Sequence, residues 1–229
     1  MITLFLILQL LVLIFSIVIH EVAHGEMANF LGDPTAKDLG RLTLNPIKHI
    51  DPVGSIIVPL LTFFLHTGII IGWAKPVPYN PYNLRNQKIG PTLVGLIGPA
   101  TNLTMALVFG MIARFLPIAT SLKQQINVSV LTNDYASTLT LIGGSLLYGF
   151  FAMAILITFI NIILAIFNLI PIPPLDGSKL LYLIFPYSIG GIMEMLERFG
   201  FVLVLFVIFL IGPAFNFVVL NLHSFIIGF

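Results

Sequence analysis

From Ile2 to about Leu31 the chain is apolar almost without interruption, and Gly32-Asp33-Pro34 then supplies a strong helix stop. At 1.5 Å per residue such a helix is roughly 45 Å long, enough to span a bilayer and project beyond it. A polar stretch follows, GDPTAKDLGRLTLNPIKHIDP. The next apolar stretch, Val53–Ile71, is interrupted by Pro59, His66 and Gly68 and leads into GWAKPVPYNPYNLRNQK. Two long apolar segments, Ile89–Leu116 and about Leu139–Phe167, flank a polar connection at 117–137. After NLIPIPPLDGSK come a short apolar piece, LLYLIFP, a mixed stretch, YSIGGIMEMLERFG, and an apolar tail, Phe201–Phe229, split by Gly212-Pro213. No repeat and no soluble domain is visible. The pattern predicts an all-α polytopic membrane protein, with about 4–6 transmembrane or half-spanning helices and a small re-entrant, strand-like element. It reads as one membrane-embedded domain over 1–229, with a core of about 1–185 and a C-terminal hairpin or kinked span over about 186–229.

Composition strengthens this reading. The 229 residues are 58% hydrophobic and 8% charged, against about 25% charged in a soluble domain. The net charge of +1 gives no pull toward nucleic acid. With no cysteine, disulfides and thiolate metal sites are excluded, and any metal must sit on His, Asp, Glu, Asn or backbone oxygen. The first segment lacks a basic n-region and a small-residue cleavage site, so it reads as a mature helix rather than a signal peptide.

Lysine and arginine set the expected orientation. The opening segment has none, whereas 32–52 carries Lys37, Arg41 and Lys48, and 75–88 carries Lys75, Arg85 and Lys88. Only Lys123 falls in 117–137. The expectation is a multi-pass protein of the cell membrane with its N-terminus outside and both basic connections cytosolic. Val53–Ile71 then dips in and returns, and Asn168–Lys179 arrives on the same side as His20 and His24.

The opening apolar run ends in His20-Glu21-Val22-Ala23-His24. Polar groups at membrane depth default to a functional reading. This is H-E-x-x-H, whose i and i+4 imidazoles share a helical face and can hold one metal ion, with the glutamate placed as general base. Zinc suits this ligand set and needs a third protein ligand. Asp176 stands out: it follows an apolar segment, and Pro171, Pro173 and Pro174 forbid regular helix there. Gly177 after it suggests a tight turn. A second zinc-protease reading takes Glu194 as the ligand, as membrane-anchored gluzincins do. A different class, a non-catalytic transporter or channel with a buried ion site, also uses half-spans and broken helices. No repeat between halves supports it.

HEVAH followed about 145 residues later by NLIPIPPLDG resembles the site-2 protease family of intramembrane zinc metalloproteases. Gly98-Pro99-Ala100-Thr101-Asn102 is similar to that family's GPxxN element, and RLTLNPIKHIDPVGS and GWAKPVPYNPYNL look like its short prokaryotic branch without PDZ or CBS domains. The resemblance implies zinc held by His20, His24 and Asp176, with Glu21 as general base. The charge bias puts the active site toward the cytoplasmic side, and the resemblance implies that the substrate is a transmembrane segment of another membrane protein. It also implies that Asn102 and Asn168 hold the substrate backbone. The alternatives are an interhelical hydrogen bond for Asn102 and a cap on broken backbone for Asn168. Ile69–Pro78 is a plausible edge for an extended substrate, with Ile70 and Trp73 as its contacts. His49 fits a loop hydrogen bond and His223 a packed, hydrogen-bonded histidine. The lipid bilayer is the surrounding partner, and the sequence leaves the oligomeric state open.

Overall fold

The structure, a computed structural model, describes residues 2–58, 73–184 and 200–229. Its long helices are α1 (Ile2–Phe30), α2 (Gly90–Phe115), α3 (Thr120–Leu131), α4 (Tyr135–Ile142), α5 (Leu146–Asn168) and α6 (Gly200–Ile227). Among the described residues, four helices are long and apolar enough to cross a membrane: Phe5–Phe30, Gly90–Phe115, Leu146–Asn168 and Phe209–Ile227. No strand occurs among the described residues. The chain is an all-α polytopic membrane protein.

The four spanning helices alternate in direction. Val94, early in α2, accepts a hydrogen bond from His24, late in α1. Gly200, at the start of α6, lies against Pro173 and Pro174 just beyond α5. At the other end of the bundle, Arg114 of α2 donates to the carbonyl of Phe225 in α6. Helices α1 and α5 therefore run toward one end of the bundle, and α2 and α6 run away from it.

Lipid tails are as apolar as leucine, so close packing rather than hydrophobicity holds these helices together. Helix α1 buries Ser16, His20, His24 and Ala28 at four-residue intervals while Leu6, Ile7, Leu10, Leu11 and Phe15 face outward. Helix α2 turns a stripe of small residues inward: Gly95, Gly98, Asn102, Ala106, Gly110 and Ala113. A side chain at Gly110 would run into Ile226 and Thr158, so the glycine lets α5 and α6 approach. The core around Phe151 and Ile155 of α5 and Ile126 of α3 closes the far end.

The far-end connection differs from the expected polar loop. Residues 117–137 contribute α3, and the apolar segment expected from Leu139 is split into α4 and α5. Gly143 and Gly144 both have positive φ, 55° and 77°, which ends α4. Ser145 then accepts the amide N–H of Tyr148 at 3.4 Å as the cap of α5.

At the other end, the flanks of 59–72 lie side by side. The Trp73 amide donates to the Gly54 carbonyl at 3.1 Å, and the Ser55 hydroxyl donates to the Trp73 carbonyl at 2.8 Å. Residues 73–80 are irregular rather than a paired strand, since Pro76 and Pro78 have no amide N–H. Several of their other donors and acceptors are nevertheless fastened. Lys75 donates to the His49 carbonyl, Arg41 donates to the carbonyls of Lys75 and Pro76, and Asn80 donates to Asp33. The expected dip at Val53–Ile71 falls largely on residues outside the described set. The tail forms one helix, Gly200–Ile227, with Pro213 inside it.

Candidate metal centre

His20 and His24 lie on the inward stripe of α1, one turn apart, with their rings edge to face at 4.6 Å between centroids. Asp176 comes from the broken backbone after α5, in the helical turn Asp176–Leu180. Three atoms converge. His20 Nε2 and His24 Nε2 are 3.0 Å apart. Asp176 Oδ2 is 3.0 Å from the first and 3.2 Å from the second. Glu194 and His66 lie outside the described residues.

The turn holding Asp176 is locked by close approach. A side chain at Gly177 would strike the backbone of Leu169 and Ile170. Its φ is not positive, so in this tight turn the glycine is needed for space. Thr92 of α2 donates to the Lys179 carbonyl at 2.8 Å. Gly95 lies against Lys179 and the Asp176 carbonyl.

Each imidazole is oriented through its other nitrogen. His24 Nδ1 lies 2.6 Å from the Val94 carbonyl. That oxygen can only accept, so His24 carries its proton on Nδ1. His20 Nδ1 lies 2.5 Å from Asn102 Oδ1 and likewise donates. Both Nε2 atoms then present lone pairs to each other and to the Asp176 carboxylate, with no proton to share. Asp176 brings a carboxylate oxygen, which accepts and does not donate when ionised, to the same point. Three converging lone pairs call for a cation among them. A tetrahedral zinc with bonds of about 2.0–2.1 Å separates its ligand atoms by about 3.3 Å, close to the edges of this triangle. The donor set fits zinc, and three protein ligands is the number catalytic sites use.

Gly98 explains why α2 can sit so close. A Cβ there would lie 2.5 Å from His24 Nε2 and 2.6 Å from His20 Cε1. Glu21, beside His20, is half-buried, and its Oε2 accepts the Val77 amide N–H at 3.0 Å. Between two prolines, Val77 has the one amide donor of the run Pro76–Pro78, and it is given to Glu21.

The residues expected to touch substrate are placed variously. Asn102 is fully buried, and its amide is engaged with His20 and with Asn161. This is the geometry of the interhelical alternative, not of an open substrate contact. Asn168 donates to the Leu164 carbonyl of its own helix at 2.9 Å, as a helix-end residue does. Trp73 is 42% exposed, and its ring covers Gly54. Ile70 lies outside the described residues. Sequence reasoning missed Asn161, Gly98 as a contact of the imidazoles, and the Val77 amide. A lone asparagine in an apolar run at membrane depth was the available signal for Asn161.

The two other described histidines, His49 and His223, are not part of this cluster. His49 bonds to the Thr43 carbonyl within its loop, and His223 bonds to Asn127 at the far end.

Comparison with known proteins gives the family. The family model for peptidase family M50 matches residues 82–206, a stretch that holds Asn102, Asn168 and Asp176. The chain is 36% identical over 197 residues to "Putative zinc metalloprotease YwhC" of Bacillus subtilis, covering 85% of this chain and 78% of that one. It is 28% identical over 202 residues to "Putative zinc metalloprotease Rip2" of Mycolicibacterium smegmatis, covering 88% of this chain and 65% of that protein. No solved structure matches. The chain belongs to peptidase family M50, the site-2 protease family, and is a membrane-embedded, zinc-dependent peptidase.

Proposed function

We propose that this protein cleaves transmembrane segments of other membrane proteins inside the bilayer, with His20, His24 and Asp176 as zinc ligands and Glu21 as general base. The observation that carries this is depth. His24 and His20 lie six and ten residues before Phe30, the end of the apolar span Phe5–Phe30. At 1.5 Å per residue that is about 9 and 15 Å in from the end of the helix. We read a buried metal centre set back from the helix end, within the apolar span, as one that acts on peptide bonds in the membrane.

Zinc bound at this site supplies a Lewis acid that stabilises charge developing on the scissile carbonyl. Glu21 takes a proton from the attacking water and returns it to the nitrogen of the leaving amine. The Val77 N–H holds one carboxylate oxygen of Glu21, leaving the other for that transfer. A transmembrane helix shields its carbonyls, so the substrate must unwind, and its freed backbone groups need partners. We assign that role to the run from Trp73, with Ile70 as the further contact expected from the sequence. Replacing Trp73 with alanine should slow turnover and leave zinc in place.

The basic residues support a cytosolic site. Lys37, Arg41, Lys48, Lys75, Arg85, Lys88 and Lys179 belong to the connections at the metal end, against Arg114 and Lys123 at the far end. The N-terminus then lies outside, and the whole of 1–229 acts as one membrane-embedded protease domain.

The test is cleavage of a synthetic transmembrane peptide by the purified protein in detergent. Wild type should cut it, and a zinc chelator should stop the cut. Glu21→Gln should lose at least about a hundredfold in rate with zinc content unchanged. Equal cleavage by wild type and Glu21→Gln would remove the reading.

A further inference from the structure

The two metal-facing imidazoles reach their tautomer by different routes. His24 donates straight to a backbone carbonyl, that of Val94. His20 faces a side-chain amide, and an amide can turn either its oxygen or its nitrogen to a ring. With nitrogen toward it, Nδ1 of His20 would accept, its proton would move to Nε2, and the lone pair offered to the metal would be lost. Something must fix which way Asn102 faces.

The structure carries that direction from a helix carbonyl through two asparagines. On α5, the Asn161 amide nitrogen donates to the Ile157 carbonyl at 2.9 Å and to the Ser16 hydroxyl of α1 at 2.9 Å. The Ile157 oxygen only accepts, so the nitrogen of Asn161 must point to it. Asn161 Oδ1 is thereby left for Asn102, whose nitrogen donates to it at 2.7 Å. Asn102 Oδ1 is then left for His20 Nδ1, at 2.5 Å. Ser16, His20, Asn102 and Asn161 are all buried, at 1%, 5%, 0% and 0% exposure, so no water competes for these bonds. Ser16 and His20 are one turn apart on α1, which closes a ring through three helices.

We propose that Asn161, supported by Ser16, is a positioning residue: acting through Asn102, it holds His20 in the Nδ1–H tautomer and keeps its Nε2 lone pair on the metal. This rests on the zinc-site reading of His20, His24 and Asp176. Outer partners of metal-bound histidines commonly change affinity by about 10–100-fold when removed.

The experiment uses full-length protein in detergent, labelled with ¹⁵N-histidine and free of zinc, with two-bond ¹⁵N–¹H spectra to tell Nδ1–H from Nε2–H rings. Zinc affinity is measured alongside by competition with a chelating dye. Wild type should show His20 as Nδ1–H. Asn161→Leu should give a share of Nε2–H at His20 and bind zinc about 10–100-fold more weakly. In an Asn102→Asp background, where residue 102 can only accept, Asn161→Leu should change zinc affinity less than about threefold, because the direction no longer needs relaying. An unchanged tautomer and unchanged affinity in Asn161→Leu overturns the proposal and leaves Asn161 as interhelical glue. If Asn161→Leu does not fold, the wild-type spectrum still decides, since an Nε2–H ring at His20 overturns the proposal. A wild type that binds no zinc sinks the site reading instead, while the tautomer spectrum continues to report on the relay.

Discussion

His20 Nε2 and Asp176 Oδ2 stand 3.0 Å apart although 156 residues separate them. The meeting is a product of helix direction: α1 runs to the metal end, α2 runs away, and α5 returns. Two glycines on one face of α2, Gly95 and Gly98, let that helix lie between the two contributions. The site is therefore made by backbone approach as much as by its ligands.

Gly98→Ala places a methyl group against both imidazoles, 2.5 Å from His24 Nε2. Those rings are tied through Val94 and Asn102 and cannot both yield. Zinc affinity should fall at least about tenfold. Gly212→Ala is the control, because nothing lies within 4 Å of its added Cβ. Alanine is favoured over glycine in a helix by about 1 kcal/mol, so Gly212→Ala should keep zinc and melt no lower than wild type. Zinc titration and thermal unfolding of both variants check this.

Arg41 is 8% exposed and donates to the carbonyls of Lys75 and Pro76 at 2.8 and 3.3 Å. These bonds hold the run that delivers the Val77 amide to Glu21. A hydrogen bond to a charged group contributes about 1.5–3 kcal/mol, so Arg41→Ala should speed exchange of the Val77 amide by about ten- to hundredfold. Peptide cleavage should slow while zinc content stays at the wild-type level. Unchanged exchange at Val77 would contradict this role for Arg41.

Asp33 fastens the exit of α1 to the same run. Its carboxylate accepts the Thr35 hydroxyl at 2.6 Å, the Asn80 amide at 2.7 Å and the Asn83 side chain at 2.8 Å. Burial pushes its pKa up, but these bonds outweigh burial and leave it below the usual carboxylate value. A depressed folded value means that the stabilisation is complete above the unfolded value of about 3.9 and is lost as pH falls through the folded value. The melting temperature of wild type should exceed that of Asp33→Asn by a constant margin from about pH 7 to 5. The margin should narrow below about pH 4. A margin independent of pH down to about pH 3 would count against the bonds.

What was legible in the sequence was what is local. His20 and His24 are one turn apart, so their shared face follows from helix geometry alone. Asp176 was marked by three prolines that break the backbone around it. The four described spanning helices were marked by long apolar runs, although Gly143-Gly144 split one of these runs by taking left-handed φ inside it. The rest is tertiary. Asn161 bonds to Asn102 and Ser16, 59 and 145 residues away, and nothing near it in sequence announces either. Gly98 belonged to a visible motif, but its reason is the pair of imidazoles it faces. The Val77 amide had no signal beyond its two flanking prolines.

The most direct test of the central claim is zinc per chain in purified protein. Wild type and Glu21→Gln should each hold one zinc, and His20→Ala and Asp176→Asn should hold much less than one under the same conditions. A full complement of zinc in Asp176→Asn, or none in wild type, would contradict a metal centre built from His20, His24 and Asp176.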